Sequence, residues 1–191
     1  KKFGESTAIL AGNSLLTIAF EILTSDELDL DKTIKSDLVF ALASCSGHLG
    51  IAGGQFLDLS FEGKAQDQKT IIDMQNKKTG ELMGLCIEAA AIVAKKNDAR
   101  AELKETGLNI GLLFQIADDL LDAYGDQDKL GKPSQQDSKK GKATLLSALG
   151  LEKTNALTND LLNKIKNSLK KYGSKADRLI SSAEFILKRD H

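Results

Sequence analysis

The sequence predicts an all-α fold, and three observations support that prediction. The chain has 191 residues and a single Pro. Pro lacks a backbone N–H donor and interrupts helices, so almost no part of the chain is interrupted in this way. Leu, Ala, Ile and Lys are abundant while Val and Tyr are scarce, and this composition favours helix. No segment shows the clean alternation of apolar and polar residues that predicts a half-buried strand.

Helical segments follow one another closely in the first 125 residues. The ranges predicted to be helical are Glu5–Leu23, Lys32–Ser44, a segment starting near Gln68 and interrupted at Thr79-Gly80, Glu81–Lys96 and Ala99–Tyr124. Asp98 is expected to cap the last helix by accepting from free backbone amides, and Gly125 is expected to end it. After the second helix, four glycines at helical spacing indicate close packing or a cavity wall: Gly47, Gly50, Gly53 and Gly54.

The last third begins with a polar stretch, residues 125–141, which contains Gly131, Pro133 and clustered Lys and is predicted to be a mobile loop. Three further helices are predicted, at Thr144–Leu149, Lys153–Lys171 and Lys175–Lys188, with a weak break at Tyr172-Gly173. No change of composition or long linker divides the chain. Residues 1–191 are therefore predicted to form one helical domain, or part of one.

Charge and composition exclude some classes of partner. The chain has 26 Lys+Arg and 27 Asp+Glu, a formal net charge of -1, and so lacks the basic excess that nucleic acids and anionic membranes require. No stretch approaches the roughly 20 apolar residues of a bilayer span, so no stable membrane span is expected and a soluble protein is predicted. Cys45 and Cys86 are expected to be buried free thiols, which indicates a reducing, cytoplasmic location.

The most informative segment is Asn109–Gly125, within the longest predicted helix. At about 100° per residue, Gln115, Asp118 and Asp122 fall within about 60° of one another, with Asp119 to one side. The rest of the circumference is apolar almost all round, which is typical of a buried helix. The polar strip is therefore predicted to face a cavity inside the protein.

The strip carries three carboxylates within five residues, which repel one another by up to a few kcal/mol per close pair at an effective dielectric of about 20. No Lys or Arg occurs between Lys104 and Lys129, so no helical neighbour offsets the repulsion. A divalent cation held by carboxylate oxygens is the economical explanation, and Mg²⁺ bridging to a phosphate fits such a face. The alternative is that this acidic face is simply exposed to solvent.

Two groups of lysines lie where a phosphate could use them. Lys77-Lys78-Thr79-Gly80 offers charge, a hydroxyl donor and a small residue at a predicted helix break. The alternative for this group is a solvated lysine pair. The polar stretch after the acidic helix is predicted to close over a bound diphosphate, with a solvated loop as the alternative. It holds five more lysines: Lys129, Lys132, Lys139, Lys140 and Lys142.

Several motifs, in one order, resemble those of the polyprenyl (isoprenyl) diphosphate synthase family, and the likeness is closest to the bacterial farnesyl diphosphate synthase (geranyltranstransferase) type. The DDxxD motif stands as Asp118-Asp119-Leu-Leu-Asp122, after Phe114-Gln115. The other landmarks are Phe3-Gly4-Glu5, Ile9-Leu10-Ala11-Gly12, Gly53-Gly54-Gln55 with Asp58-Leu59, Lys78-Thr79-Gly80, Leu130-Gly131-Lys132, Asp137 and Gly141-Lys142. The resemblance covers the whole chain.

The resemblance implies an isoprenoid-synthase-type helical bundle around a central cavity. It implies Mg²⁺-dependent transfer, with Mn²⁺ as a substitute, of dimethylallyl or geranyl groups from their diphosphates to isopentenyl diphosphate, head to tail, giving farnesyl diphosphate. Diphosphate leaves to give an allylic cation, the double bond of isopentenyl diphosphate attacks it, and a proton is lost. The resemblance also implies a homodimer.

Residue roles are implied by the same resemblance. The implied metal ligands are Asp118, Asp119 and Asp122, and the implied substrate-binding residues are Gln55, Lys78, Thr79, Gln115, Lys132 and Lys142. Among these, Lys78, Asp118 and Lys132 are expected to be catalytic, because their charges would stabilise the departing diphosphate.

The chain also departs from the family pattern. The first aspartate-rich motif and the isopentenyl diphosphate site would lie upstream of Phe3, so the chain resembles the last two thirds of such an enzyme and is expected to be inactive alone. Asn13, Gln135 and Leu145-Leu146 stand where the family has other residues. The alternatives are a geranylgeranyl diphosphate synthase, a terpene cyclase on the same scaffold, and a non-catalytic subunit of a synthase. The intact acidic motif and lysines argue against the subunit.

Overall fold

The computed structural model describes residues 2–125 and 141–189 and confirms the all-α prediction. Its α-helices are α1 (Glu5–Thr24), α2 (Lys32–Ser46), α3 (Ile51–Ser60), α4 (Gln68–Gln75), α5 (Glu81–Val93), α6 (Asn97–Tyr124), α7 (Leu145–Leu149), α8 (Leu151–Leu169) and α9 (Asp177–Lys188). A π-helical turn, Asn76–Gly80, joins α4 to α5, and a 3₁₀ segment, Lys170–Ala176, precedes α9. The described residues contain no strand.

Helix α6 is the central element, because α5, α8 and α9 all pack against it. The main apolar core lies between these helices, where Leu113 and Ile116 of α6, Ile165 of α8 and Ala183 of α9 have no exposed surface. Burial of each large side chain contributes roughly 1.5–3 kcal/mol. The core therefore fixes the rotation of α6, and with it the direction in which the polar strip faces.

Helices α5 and α6 approach so closely that their backbones touch. A Cβ added at Gly107 would lie 2.5 Å from the carbonyl oxygen of Met83, and one at Gly111 would lie 2.8 Å from the Cα of Gly80. Only glycine fits at such distances, since neither backbone can move without disturbing its helix. The contact at Gly111 places Gln115, one turn further along α6, beside the π-helical turn.

The predicted interruption at Thr79-Gly80 is wrong, because the chain continues from α4 into α5 through the π-helical turn without a break. The backbone of α3 packs directly against this turn, where a Cβ at Gly54 would lie 2.2 Å from the amide nitrogen of Lys78. Wide turns of this kind inside α-helices are frequent at functional sites. Here the turn holds Lys78 and Thr79 between α3 and α6.

Side-chain caps mark the starts of three of the described α-helices, α2, α4 and α7. Thr144 and Ser147 form a reciprocal capping box at the start of α7, and Gly125 ends α6 as predicted. The prediction for Asp98 is wrong, because α6 begins at Asn97 and its carboxylate lies in the first turn, where it favours the helix dipole without capping. The polar stretch predicted to be a mobile loop lies, for residues 126–140, outside the described part of the chain.

Two other predictions from composition have different outcomes, because the absence of a stable membrane span stays a prediction while the burial of both thiols is wrong. Helix α1 is long and apolar enough to cross a membrane by length and composition, and none of its residues is buried. Cys86 is exposed, whereas Cys45 is buried as predicted, and burial raises the pKa of the Cys45 thiol.

Candidate functional site

Residues from five parts of the chain line a cavity of about 230 Å³. The π-helical turn and α6 form one side, α3 and α4 another, and the segment leading into α7 a third. The lining residues are Asp58, Gln75, Lys78, Gln115, Asp118, Asp119, Lys142, Ala143 and Thr144. The structure therefore brings together most of the residues predicted to bind a diphosphate and a metal.

Lys78 is held in the cavity by an ion pair with α3. Its Nζ lies 2.5 Å from Oδ2 of Asp58, whose carboxylate is buried, while the lysine side chain keeps 26% of its surface exposed. An ammonium group has three donors, so this contact leaves two for another acceptor. Asp58 thus orients the cation and leaves it able to bind an anion.

Thr79 and Gln115 are joined across the interface between the π-helical turn and α6. The Thr79 hydroxyl donates to Oε1 of Gln115 at 2.9 Å. Because this bond uses the amide oxygen, the amide nitrogen of Gln115 keeps its donors for a ligand. The pair therefore presents a neutral N–H donor beside the charge of Lys78.

Gln75 is a polar residue on the buried face of α4. Only 7% of its surface is exposed, and its Oε1 is buried with no hydrogen-bond partner among the described residues. An unmet buried acceptor costs about 1–3 kcal/mol. Gln75 was not predicted as a site residue, although it lies one turn after the buried Ile71 and is the one amide on that apolar face.

The acidic strip faces cavities, as predicted. Asp118 and Asp119 line the cavity of about 230 Å³, while Asp119 and the buried Asp122 line an adjoining cavity of about 750 Å³. Lys142 lines both cavities. Leu113 and Ile116, on the other faces of α6, are fully buried, so the strip is the polar side of an otherwise apolar helix.

A cation from the far end of the chain reaches this strip. Nη2 of Arg189 lies 2.6 Å from Oδ1 of Asp118, and the guanidinium stacks over the ring of Phe114 at 4.3 Å from its centroid. Arg189 was not predicted as a site residue, because only neighbours along the helix were considered as partners for the carboxylates. No sequence pattern links two residues that lie 71 positions apart.

The carboxylates of this site suit a hard divalent cation whose other ligands are phosphate oxygens and water. The described residues hold no group of three or more His, Cys, Asp or Glu side chains able to bind a metal by themselves. Asp118 and Asp119 nevertheless line one cavity with a lysine, and Mg²⁺ commonly takes one or two carboxylates plus phosphate oxygens and water. The predicted ligand set of Asp118, Asp119 and Asp122 stays a prediction.

Among the described residues, two that were predicted to bind substrate, Gln55 and Thr79, line neither cavity. Gln55 is exposed on α3 and lines neither cavity, whereas Asp58, from the same motif, does. Lys132 lies outside the described residues, as does Gln135. Of the departures from the family pattern, Leu145 is buried in the core and Leu146 lines the larger cavity.

Comparisons with known proteins identify the family that this chain matches. Residues 1–181 match the family model described as Polyprenyl synthetase. A farnesyl diphosphate synthase of Micrococcus luteus is 38% identical, with 100% of this chain and 65% of that protein covered. An apo FPP/GFPP synthase from Zymomonas mobilis matches with a TM-score of 0.84 at 41% identity, over 97% of this chain and 62% of that one.

A geranyltransferase from Helicobacter pylori, in complex with magnesium and isoprenyl diphosphate, matches with a TM-score of 0.81 at 28% identity, over 98% of this chain and 61% of that one. The chain therefore spans about 65% of the length of the curated relatives that it matches. The family model covers nearly all of the chain, and the shared fold and motifs agree with it. The chain belongs to the polyprenyl synthetase family.

Proposed function

We propose that the complete protein containing this chain is a short-chain prenyltransferase. It would add isopentenyl diphosphate head to tail to dimethylallyl diphosphate, giving geranyl diphosphate, and a second isopentenyl diphosphate to geranyl diphosphate, giving farnesyl diphosphate, with one diphosphate released at each addition. The observation that supports this most directly is the cavity in which Lys78, Gln115 and Asp118 meet, since it offers donors for phosphate oxygens beside carboxylates for a metal. The similarity to farnesyl diphosphate synthases supports the substrate class.

Lys78 and Gln115 would hold the allylic diphosphate. The ammonium, oriented by Asp58, supplies a fixed positive charge where negative charge grows as the C–O bond to the diphosphate breaks. Fixed charges of this kind need no rearrangement during the reaction, and each can lower the barrier by several kcal/mol. The Gln115 amide would bind the same phosphate without adding charge.

Asp118 and Asp119 would hold a divalent cation against the diphosphate. When bound, Mg²⁺ supplies further neutralisation of the leaving group and fixes its orientation. Asp122 is buried and lines the adjoining larger cavity with Asp119, so we assign it a role in completing the acidic motif. Mg²⁺ dependence, a homodimeric state and a cytoplasmic location are proposals that rest on the family resemblance.

A turnover assay on the complete protein tests the proposal. Geranyl diphosphate and labelled isopentenyl diphosphate should give farnesyl diphosphate with Mg²⁺ and no product after chelation. Asp118→Asn should lower kcat/KM by at least about 100-fold, the usual scale for losing one charge-stabilising group. Asp160→Asn, on the exposed face of α8, is the matched control and should retain activity.

The outcomes separate the alternatives. Activity of Asp118→Asn within a few-fold of the Asp160→Asn control would contradict the assignment of Asp118. No turnover with any allylic diphosphate, under conditions where the protein is folded, would contradict the enzyme proposal and favour a non-catalytic subunit. A product longer than farnesyl diphosphate would keep the reaction and correct the chain length.

A further inference from the structure

Arg189 occupies an unusual position at the end of the described chain. Helix α9 ends at Lys188, and Arg189 is the first residue with extended backbone, its amide donating to the carbonyl of Phe185. Its side chain crosses to α6 and is only 15% exposed, whereas that of Asp118 is 45% exposed. The guanidinium is therefore withdrawn from water at the rim of the acidic strip.

Two residues of α6, Phe114 and Asp118, bind this guanidinium. Phe114 and Asp118 are four positions apart, so their side chains lie on the same face of the helix. The flat cation stacks on the ring of Phe114 while Nη2 donates to Oδ1 of Asp118 at 2.6 Å. A planar guanidinium suits this combination of stacking and charge pairing better than an ammonium does.

These contacts leave one N–H donor of the guanidinium without a hydrogen-bond partner among the described residues. Nε of Arg189 is buried and has no hydrogen-bond partner among the described residues, and a buried donor without a partner is unfavourable. The contact with α6 therefore depends mainly on the charge of Asp118 and the face of Phe114. Weakening the attraction of Asp118 would remove a large part of what holds Arg189 in place.

Asp118 is also the carboxylate assigned to a divalent cation in the proposed function, on which the present inference rests. One half-exposed carboxylate would then face two positive groups at short range, and these repel each other. We propose that Arg189 is the counter-ion of Asp118 before a metal binds, and that a divalent cation competes with it for the carboxylate. Metal binding then weakens the attachment of the end of α9 to α6.

This role differs from that of a structural link. If Arg189 only fastened α9 to α6, its loss would loosen the strip and leave the metal affinity unchanged or lower. As a competing counter-ion, Arg189 lowers the metal affinity of the intact protein, and its removal raises it. The two roles therefore predict opposite changes in a binding constant that is measured without substrate.

The experiment measures Mn²⁺ binding to the complete protein by calorimetry, without substrate. Arg189→Gln should bind Mn²⁺ about tenfold more tightly, the scale of a charge-assisted pair that is partly exposed. Arg189→Lys, which keeps the charge but not the flat stacking group, should show a smaller gain. Lys188→Gln makes the same charge change at an exposed neighbouring residue and should bind as the parent does.

A second readout follows the end of α9 directly. Hydrogen exchange at the amide of Arg189, which donates to Phe185, should become faster when Mg²⁺ is added to the parent protein. In Arg189→Gln the exchange should already be fast without metal and should change little on addition. Thermal melting identifies any variant that has lost its fold, and Arg189→Lys then provides the comparison.

The outcomes distinguish this inference from the proposed function. If Arg189→Gln binds Mn²⁺ no more tightly than Lys188→Gln, or if Mg²⁺ leaves the exchange of the parent unchanged, competition by Arg189 is excluded while the prenyltransferase proposal stands. Asp118→Asn should lose the tight Mn²⁺ site. If it binds Mn²⁺ as the parent does, the metal assignment and the role of Arg189 are both overturned.

Discussion

The buried carboxylate of Asp58 on α3 and the ammonium of Lys78 on the π-helical turn form an ion pair 2.5 Å long at the wall of the candidate site. Two further contacts fix the same turn, because Gly54 packs against the backbone of Lys78 and Thr79 bonds to Gln115. The position of Lys78 is therefore set by α3 and α6 together. Four predictions follow from this and other local arrangements.

Removing the charge of Asp58 should weaken binding of the allylic diphosphate. In Asp58→Asn the ammonium of Lys78 loses its fixed partner and moves among several rotamers, so we expect KM for the allylic diphosphate to rise about tenfold. Asp73→Asn, at an exposed position on α4, is the control. Steady-state kinetics of the complete protein measure both, and equal KM values in the two variants would contradict the role of Asp58.

Replacing Gln75 should weaken diphosphate binding without lowering the stability of the fold. Gln75→Leu removes a buried acceptor that has no partner among the described residues and keeps a similar volume, so the free energy of unfolding should stay unchanged or rise by about 1 kcal/mol. Affinity for inorganic diphosphate in the presence of Mg²⁺ should fall. Urea unfolding and calorimetry measure the two effects, with Gln68→Leu on the exposed side of α4 as control. A clear loss of stability would show that the amide is satisfied within the fold.

The backbone contact between α5 and α6 should not accept a methyl group. In Gly107→Ala the new Cβ would lie 2.5 Å from a carbonyl oxygen of α5, and such overpacking costs about 1–3 kcal/mol of unfolding free energy. Gly12→Ala makes the same change in α1, where a Cβ meets no described atom within 4 Å. The control should be neutral or slightly stabilising because Ala favours helix. Equal midpoints of urea unfolding in the two variants would contradict the close contact.

The cap of α4 should make stability depend on acid pH. Asp67 accepts from the amide of Thr70, and this hydrogen bond lowers the pKa of its carboxyl below the usual 3.8. A lowered pKa contributes stability above the unfolded-state value, and that contribution is lost as pH falls through the folded-state value. The melting temperature of Asp67→Ala should therefore lie below that of the parent at pH 7, and the difference should shrink below pH 4.

Asp67→Asn is the control for this cap, because an amide oxygen accepts the same hydrogen bond without titrating. Its melting temperature should stay closer to that of the parent at neutral pH and should change less on acidification. A pH-independent difference between Asp67→Ala and the parent would show that the ionised carboxylate is not the group that stabilises α4.

Much of the fold could be predicted from the sequence, because helix formation here depends on local properties. The scarcity of Pro and the apolar faces gave the predicted bounds of α1 and α6 to within a few residues. The wide turn at Asn76–Gly80 could not be predicted in this way. Its local sequence predicts a break at Thr79-Gly80, whereas in the structure the turn is continuous with both helices and packs closely against α3 and α6.

The site was predictable where its residues share one helix. The strip from Gln115 to Asp122 follows from helical spacing, and the structure places it against cavities. Arg189 was not predictable, because its pairing with Asp118 is created by the docking of α9 on α6. Gln75 was within reach, since a buried amide on an apolar face is a recognisable exception to the pattern of α4.

The π-helical turn also constrains the number of residues between α4 and α5. It holds about one residue more than an α-helical turn, so it is equivalent to a single inserted residue between α4 and α5. Deleting one residue there would restore a regular helix and rotate α4 by about 100° relative to α5. That rotation would carry Gln75 out of the cavity and Lys78 away from Asp58. The shorter helix would be the more regular one, but the site needs the extra residue, so the spacing between Gln75 and Gly80 is expected to vary less than the residues within it.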